Sequence, residues 1–423
     1  MGATHFCGLD FGTSNSTVAC RIDNRIDLAP VEREHKTLPS SIFFDFSDGS
    51  VSFGRAALGR YVDGAEGRLM RSLKSVLGGS LMDETTRIKS RLYTFKEIIG
   101  LILGRLKSAA DSAVGADVER VVLGRPVYFV DDNPEADRSA RDALEEIARA
   151  QGFREIAFQY EPIAAALAYE QNVAREQFAL IADIGGGTSD FSIVRVSPEG
   201  RAREDRSQDV LANKGVHIGG TDIDRLLSLR AVMPLLGLNS ERRGDFGAKI
   251  LPVPNSFFVD LSTWHRINLL YKPQVARELQ SLLRHSLSPN LIERLIAVIE
   301  SRRGHSIALA VEAAKIELST RNSAPIDLAE IEPAFVVDVN PRILHQAIDD
   351  RLGALARCLE ETLRASGLSG ERIDAVFLTG GSTAIPAVRD VVTALTPQAL
   401  VVEGDLFGAV GLGLGLDAQR KFG

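Results

Sequence analysis

The chain reads as an α/β protein of two related lobes, and three observations predict this. The first is the stretch Asp183-Ile184-Gly185-Gly186-Gly187-Thr188-Ser189-Asp190, set between a buried-strand pattern at 178–182 and an alternating pattern at 191–196. Three consecutive glycines carry no Cβ, so backbone N–H groups can close on an anion without steric cost. Thr188 adds a hydroxyl donor, and Asp183 offers a carboxylate whose natural partner is a metal ion or its water shell. The second observation is a shorter copy of the same grammar, Asp10-Phe11-Gly12-Thr13-Ser14-Asn15, about half a chain earlier. Two such loops facing a shared cleft could clamp a polyphosphate and its cation from both sides. The third is the alternation of these strands with amphipathic helices. Read singly, either glycine run equally suits a hairpin turn with satisfied polar caps.

Composition permits this size of fold and narrows the partners. With 423 residues, 45% hydrophobic and 25% charged, the chain can bury two large cores. The net charge of −7 comes without any Lys/Arg-dense run, which argues against nucleic-acid and membrane partners. Cys7, Cys20 and Cys358 form no CxxC and have no histidine at ligand spacing, so small buried hydrophobes in a reducing cytoplasm are expected. No apolar run approaches membrane length, and no signal-peptide pattern precedes Asp10.

In chain order, strands are expected at 6–11, 16–23 and 25–30, followed by a small inserted subdomain at about 38–93. Within it, 68–78 reads as a short amphipathic helix ending at Gly78, with Lys74 a solvated surface charge by default. A helix over 94–114 follows from Phe95, Ile98, Ile99, Ile102, Leu103 and Leu106 on one face. A strand at 120–129, a helix at 135–150 and a strand at 156–159 lead to Glu161-Pro162-Ile163-Ala164-Ala165-Ala166. Pro162 suits the first turn of a helix, so Glu161 stands at a helix N-terminus and at the carboxyl end of a strand, where α/β folds place ligands. A simple capping carboxylate is the alternative.

The second half restarts with strands to about Asn213, and Gly219-Gly220-Thr221-Asp222 then opens a helix with further backbone donors. A largely helical insertion is expected over about 237–340, its stretch 251–264 unassigned. The helix from Ile307 carries Glu312, Lys315 and Ser319 as one polar stripe, a solvated face unless a ligand uses it. The strand at 375–382 ends in Gly380-Gly381-Ser382, and the glycines at 408, 411, 413 and 415 should let the last helix sit close to the sheet.

Four ordered motifs, Asp10-x-Gly-Thr, Glu161-Pro-x-Ala-Ala-Ala, Asp183-x-Gly-Gly-Gly-Thr and Leu378-Thr-Gly-Gly-Ser-Thr, resemble the ATPase domain of DnaK-type chaperones of the heat shock protein 70 family. That domain belongs to the actin/hexokinase-like superfamily. The resemblance covers nearly the whole chain and is greatest to the YegD-type group of short DnaK homologues. It implies a two-lobed actin-like ATPase fold of duplicated ribonuclease-H-like domains, with lobes at 1–175 and 176–423 and no substrate-binding domain after Gly423.

It also implies roles. Gly12, Thr13, Ser14 and Asn15 would hold β- and γ-phosphates from one lobe, and Gly185, Gly186, Gly187 and Thr188 from the other. Asp10 and Asp183 would hold Mg²⁺ through its water shell, with K⁺ as an additional ion. Lys74 would stabilise charge growing in the transition state, and Glu161, Asp183 and Thr188 would orient water and metal. Pro126, beside Arg125, resembles a proline that relays nucleotide state between lobes. Gly219, Gly220, Glu312, Lys315, Ser319, Gly380, Gly381 and Ser382 would surround the nucleoside of ATP or ADP. Two departures stand out: Ile316 and Ala384 occupy positions where typical members sandwich adenine between arginines.

Four functions compete. A slow Mg-dependent ATPase with a chaperone-like or regulatory role is the leading one, acting with a protein partner or client. A nucleotide-gated scaffold with weak or no hydrolysis is the second. A sugar or acetate kinase would need a base for an acceptor hydroxyl, and no distinct candidate is found. A filament former would need self-complementary surfaces.

Overall fold

The computed structural model describes residues 5–79, 82, 84–130, 133–200, 203, 205–244, 249–402 and 408–423. They divide into two compact units, the first comprising 1–216, 357–383 and 392–423, the second 217–356 and 384–391.

The first unit begins with β1 (Phe6–Phe11), β2 (Asn15–Ile22), β3 (Arg25–Leu28) and the short β4 (Leu38–Pro39). A small sheet then follows from β5 (Ser41–Asp45), β6 (Val51–Phe53) and β7 (Gly67–Arg71), with α1 (Gly54–Val62) between its second and third strands. The hairpin β8 (Thr85–Ile88) and β9 (Arg91–Thr94) leads into α2 (Phe95–Val114), then β10 (Arg120–Arg125), α3 (Pro134–Ala150), β11 (Glu155–Tyr160) and α4 (Glu161–Glu170). The main sheet has the order β11-β10-β1-β2-β3, parallel across β11-β10-β1 and antiparallel beyond. Thr94 caps α2 through a reciprocal box with Glu97, and Gly115 ends it in the left-handed region, so the helix starts and stops where its sequence demands. Its Ile98, Ile99, Ile102, Leu103 and Leu106 are fully buried against Cys7, Leu9, Val18 and Cys20 of the sheet. Cys7 and Cys20 are thus core residues, free and buried.

The helix expected over 68–78 is absent. Leu69 and Met70 pair with Phe43 and Ile42 of β5, and only Leu73–Val76 forms a single 3-10 turn, which carries Lys74. Sheet pairing overrides the helical propensity of so short a segment, and Ser72 at φ +58° breaks the chain between strand and turn.

A second sheet follows from β12 (Gln177–Ile184), β13 (Ser189–Val196) and β14 (Val210–Val216). The chain next enters the second unit with α5 (Gly220–Ala231), the hairpin β15 (Glu241–Arg243) and β16 (Ile250–Pro252), then α6 (Ser256–Leu261), α7 (Pro273–His285), α8 (Pro289–Glu300) and α9 (Gly304–Glu317). The hairpin β17 (Ala324–Asp327) and β18 (Val336–Val339) precedes α10 (Pro341–Ser366), a helix of 26 residues. The unassigned stretch 251–264 resolves into the end of β16 and α6, with Val253, Phe257, Phe258 and Leu261 buried.

The chain closes with β19 (Ala375–Thr379), α11 (Pro386–Leu395), β20 (Leu400–Val402) and α12 (Ala409–Phe422). The second sheet runs β14-β13-β12-β19-β20. Ile163, Ala165 and Ala166 of α4 pack on its Ile181, Val194 and Phe377, while Ala164 joins Val122 and Leu414 on the first sheet. The alanine run therefore lets one thin helix serve two sheets. The glycines of α12 do what their spacing suggests: a Cβ on Gly413 would lie 1.9 Å from the Ala164 carbonyl oxygen. Among the described residues, no helix is long and apolar enough to cross a membrane.

Candidate active site

Both glycine loops are hairpin connections in the first unit. In the first, Asp10 sits on β1 opposite Thr17, and the loop 12–14 is pinned by a residue the sequence did not single out, the buried Ser40. Its hydroxyl donates to the Gly12 carbonyl (2.6 Å) and its N–H to the Ser14 carbonyl (2.8 Å). In the second, Asp183 sits on β12 opposite Asp190, and the Gly185 N–H closes the turn on the Thr188 carbonyl at 2.9 Å. Ser382 donates to the Gly185 carbonyl at 3.1 Å, and Gly380 turns the chain toward it at φ +79°. The loops touch: a Cβ on Gly186 would fall 2.1 Å from Ser14 Oγ, so glycine is what lets them meet.

Lys74 and Glu161 meet the same cluster. Lys74 Nζ donates to Glu161 Oε1 at 2.6 Å, with both side chains 13% exposed. Burial works against the ammonium charge, but Glu161, then Asp10 and Asp183, more than offset it and raise its pKa. The carboxyls are pushed the other way. Burial, then the charge of Glu161, raises Asp10 to about 8, with Lys74 opposing. Burial and Glu161 likewise raise Asp183, against Lys74 and the Thr379 hydroxyl. Asp190 rises to about 7, through burial and then Asp183 and Glu161, while a hydrogen bond with Thr188 holds it down. Four acids thus share one lysine in a poorly solvated place, a balance of charge that a bound cation would improve.

Asp190 is the main residue that sequence reasoning missed. It lies at the end of the glycine motif, but its significance comes from space made across the sheet. A Cβ on Gly215 of β14 would be 2.5 Å from Asp190 Oδ1. Among the described residues, no three side chains of the ligating types converge closely enough to grip a bare metal ion. Buried carboxylates in excess, spread around a lysine, fit a hydrated Mg²⁺ held through its waters. A cavity of about 40 Å³ lies behind the acids, lined by Pro126, Tyr128, Asp183, Asp190, Asn213 and Thr379. A larger one, about 260 Å³, lies beside Leu167, Glu170 and Arg420 and includes none of these acids.

The second unit gathers part of the remaining set. Gly219 caps α5 and donates to Asp222, and Lys315 of α9 reaches the Gly220 carbonyl (3.5 Å) and Asp224 (2.8 Å). Lys315 is buried, so the polar stripe is not simply a solvated face. Glu312 and Ser319 are half-buried on the same stretch, and Ile316 is 60% exposed. Gly381, Ser382 and Ala384 form one 3-10 turn after β19.

A family model described as Hsp70 protein matches residues 6–232 and 297–418. The chain is 28% identical over 392 residues to chaperone protein DnaK of Thermotoga neapolitana, covering 90% of this chain and 54% of that protein. It is 28% identical over 408 residues to DnaK of Halobacterium salinarum (94% and 53%) and 27% identical over 391 to that of Thermosipho africanus (90% and 53%). The chain therefore spans about half the length of the curated relatives it matches.

Proposed function

Since the chain belongs to the Hsp70 family and has its α/β actin-like ATPase fold, we propose that it binds ATP or ADP with Mg²⁺ and hydrolyses ATP slowly. The observation that carries this is the Lys74–Glu161 pair set among Asp10, Asp183 and Asp190, beside two touching phosphate-type loops. Gly12–Asn15 and Gly185–Thr188 would present backbone N–H groups to the β- and γ-phosphates. Mg²⁺, held through its waters by Asp10 and Asp183, would neutralise phosphate charge when bound. Lys74 would stabilise the charge on the transferring phosphoryl group, with Glu161 fixing its direction. A water oxygen bonds to the γ-phosphorus, the bond to the β–γ bridging oxygen breaks, and the water's proton passes to Asp190, whose raised pKa suits a proton acceptor.

For the nucleoside the residues carried over from the resemblance are Gly219, Gly220, Glu312, Lys315, Ser319, Gly380, Gly381 and Ser382. K⁺ is proposed as an additional ion near the phosphates. Closure of the lobes 1–175 and 176–423 around the nucleotide, driven by these contacts, would signal to a protein partner or client in the cytoplasm, in a chaperone-like or regulatory role. A nucleotide-gated scaffold with weak or no hydrolysis is the second reading.

Titration calorimetry with MgATP, MgADP and MgGTP, paired with single-turnover hydrolysis, tests the proposal. Micromolar nucleotide binding with slow hydrolysis is expected, and Lys74→Ala should slow hydrolysis by about 10²–10³-fold. Binding with no turnover would favour the scaffold; no binding at millimolar nucleotide would reject both.

A further inference from the structure

The stretch 126–129 after β10 is wrapped around one guanidinium. Arg125 ends β10 and donates to both Asp137 oxygens of α3 (3.1 and 2.9 Å), to the Pro126 carbonyl (3.0 Å) and to the Val127 carbonyl (3.1 Å). Asp137 Oδ1 also accepts the Phe129 N–H at 2.6 Å. The two side chains are only 13% and 14% exposed. The guanidinium carbon lies 5.4 Å from the Phe129 ring centroid and 5.2 Å from that of Tyr160.

Tyr160 is the residue that sets the position of Glu161. It pairs directly with Arg125 in the β10–β11 register and is the N-cap of α4, in which Glu161 is the first residue. The neighbouring Gly124 leaves the space Glu161 occupies, since a Cβ there would be 3.3 Å from Glu161 Cγ. The same segment supplies Pro126 and Tyr128 to the wall of the small cavity behind the acids. One fork-shaped cation therefore ties α3, the 126–129 backbone and the aromatic residue ahead of Glu161 into a single frame.

We propose that the Arg125–Asp137 pair is a positioning device that holds Glu161, and through it Lys74, in register for hydrolysis; the proposal rests on the ATPase reading above. Neither residue touches the cluster itself. A lysine at 125 keeps the charge but loses the planar fork that serves four acceptors at once. An asparagine at 137 keeps the shape but leaves a buried guanidinium poorly compensated.

The test compares Arg125→Lys and Asp137→Asn with wild type by MgADP calorimetry and MgATP single-turnover hydrolysis. Misplacing a catalytic group by about 1 Å costs up to roughly 10²-fold in rate, so a fall of about 10–100-fold is expected while MgADP affinity stays within about 3-fold. In a Glu161→Gln background, Arg125→Lys should add less than about 2-fold, because both changes act on one group. Unchanged rates, affinity falling together with rate, or an undiminished effect in the Glu161→Gln background would each overturn the proposal. Hydrogen exchange gives a readout independent of turnover: in Arg125→Lys, peptides covering 126–129 and 158–163 should lose protection. If the wild-type protein proves inactive, the ATPase reading fails, and unchanged protection in those peptides overturns the clamp on its own.

Discussion

The two hairpins β1–β2 and β12–β13 are copies that have diverged at one decisive position. Each puts an aspartate near the end of its first strand and a glycine-containing loop after it. Opposite Asp10 the partner strand carries Thr17, a buried hydroxyl; opposite Asp183 it carries Asp190, a second acid. The loops are also braced differently. The first leans on Ser40 from outside the hairpin, whereas the second closes on its own Thr188 and accepts Ser382. On the proposed reading both loops serve phosphate, and the second hairpin adds to its strand-end aspartate a second buried acid with raised proton affinity.

The largest test of that asymmetry is Asp190→Asn against Thr17→Val. If the second hairpin carries the chemistry, removing its extra acid should slow single-turnover hydrolysis by about 10²–10⁴-fold, the range for a general base. Thr17→Val should change it by less than about 3-fold, because no step uses the hydroxyl. Equal losses in rapid-quench assays would mean the copies are functionally symmetric. The same residues should make nucleotide-free stability fall with pH. Folding raises Asp190 from 3.8 to about 7 and Asp10 from 3.8 to about 8. The folded protein therefore holds these protons more tightly than the unfolded chain. The stability this contributes is complete below about 4 and is lost as pH rises through about 7 and about 8. Melting temperatures of Asp190→Asn and Asp10→Asn should depend less steeply on pH across that window, and both variants should melt higher than wild type at pH 8 without Mg²⁺.

What the sequence disclosed divides along the same line. The two glycine hairpins were legible because turn chemistry is local: glycines between strands mark the β1–β2 and β12–β13 connections within a few residues. The helix at 94–114 was legible from its periodicity. The buried setting of Asp190 was not, because it depends on Gly215 across the sheet and on acids far away in the chain. Ser40 and the Lys315–Asp224 pair escaped for the same reason, being separated from their partners by 26 and more residues. The strand Gly67–Arg71 was misread as helix because its partner, Ser41–Asp45, lies a chain reversal away. Local grammar exposes the glycine turns, while compensation of buried charge is settled only in three dimensions.

A smaller effect tests whether the two loops act as one site. Adding a methyl at Gly186 brings it against Ser14 Oγ, the end of a short, movable side chain, so the loops should shift and not collapse. Gly186→Ala should weaken MgADP binding by about 5–10-fold, roughly a kilocalorie per mole of lost phosphate contact. Ser14→Gly, which removes the obstructing hydroxymethyl, should recover most of that loss in the double variant, giving a coupling that calorimetry can read. Additive losses would show that the contact between loops is incidental to nucleotide binding.

The smallest effect concerns the base, and it contrasts the two units. The first unit holds every group assigned to chemistry, whereas α9 of the second offers exposed Ile316 beside a lysine already committed to Asp224. An apolar side chain can pack on any purine, so ATP and GTP affinities should lie within about 5-fold of each other, phosphate contacts dominating both. Ile316→Arg would supply a stacking cation worth on the order of 1 kcal/mol, raising ATP affinity by about 3–10-fold. The hydrolysis rate of bound ATP should stay within about 2-fold, because the catalytic acids and Lys74 lie in the other unit. A wild-type preference for ATP above about 100-fold would show that the base is read by groups other than Ile316, and the division of labour between the units would fall with it.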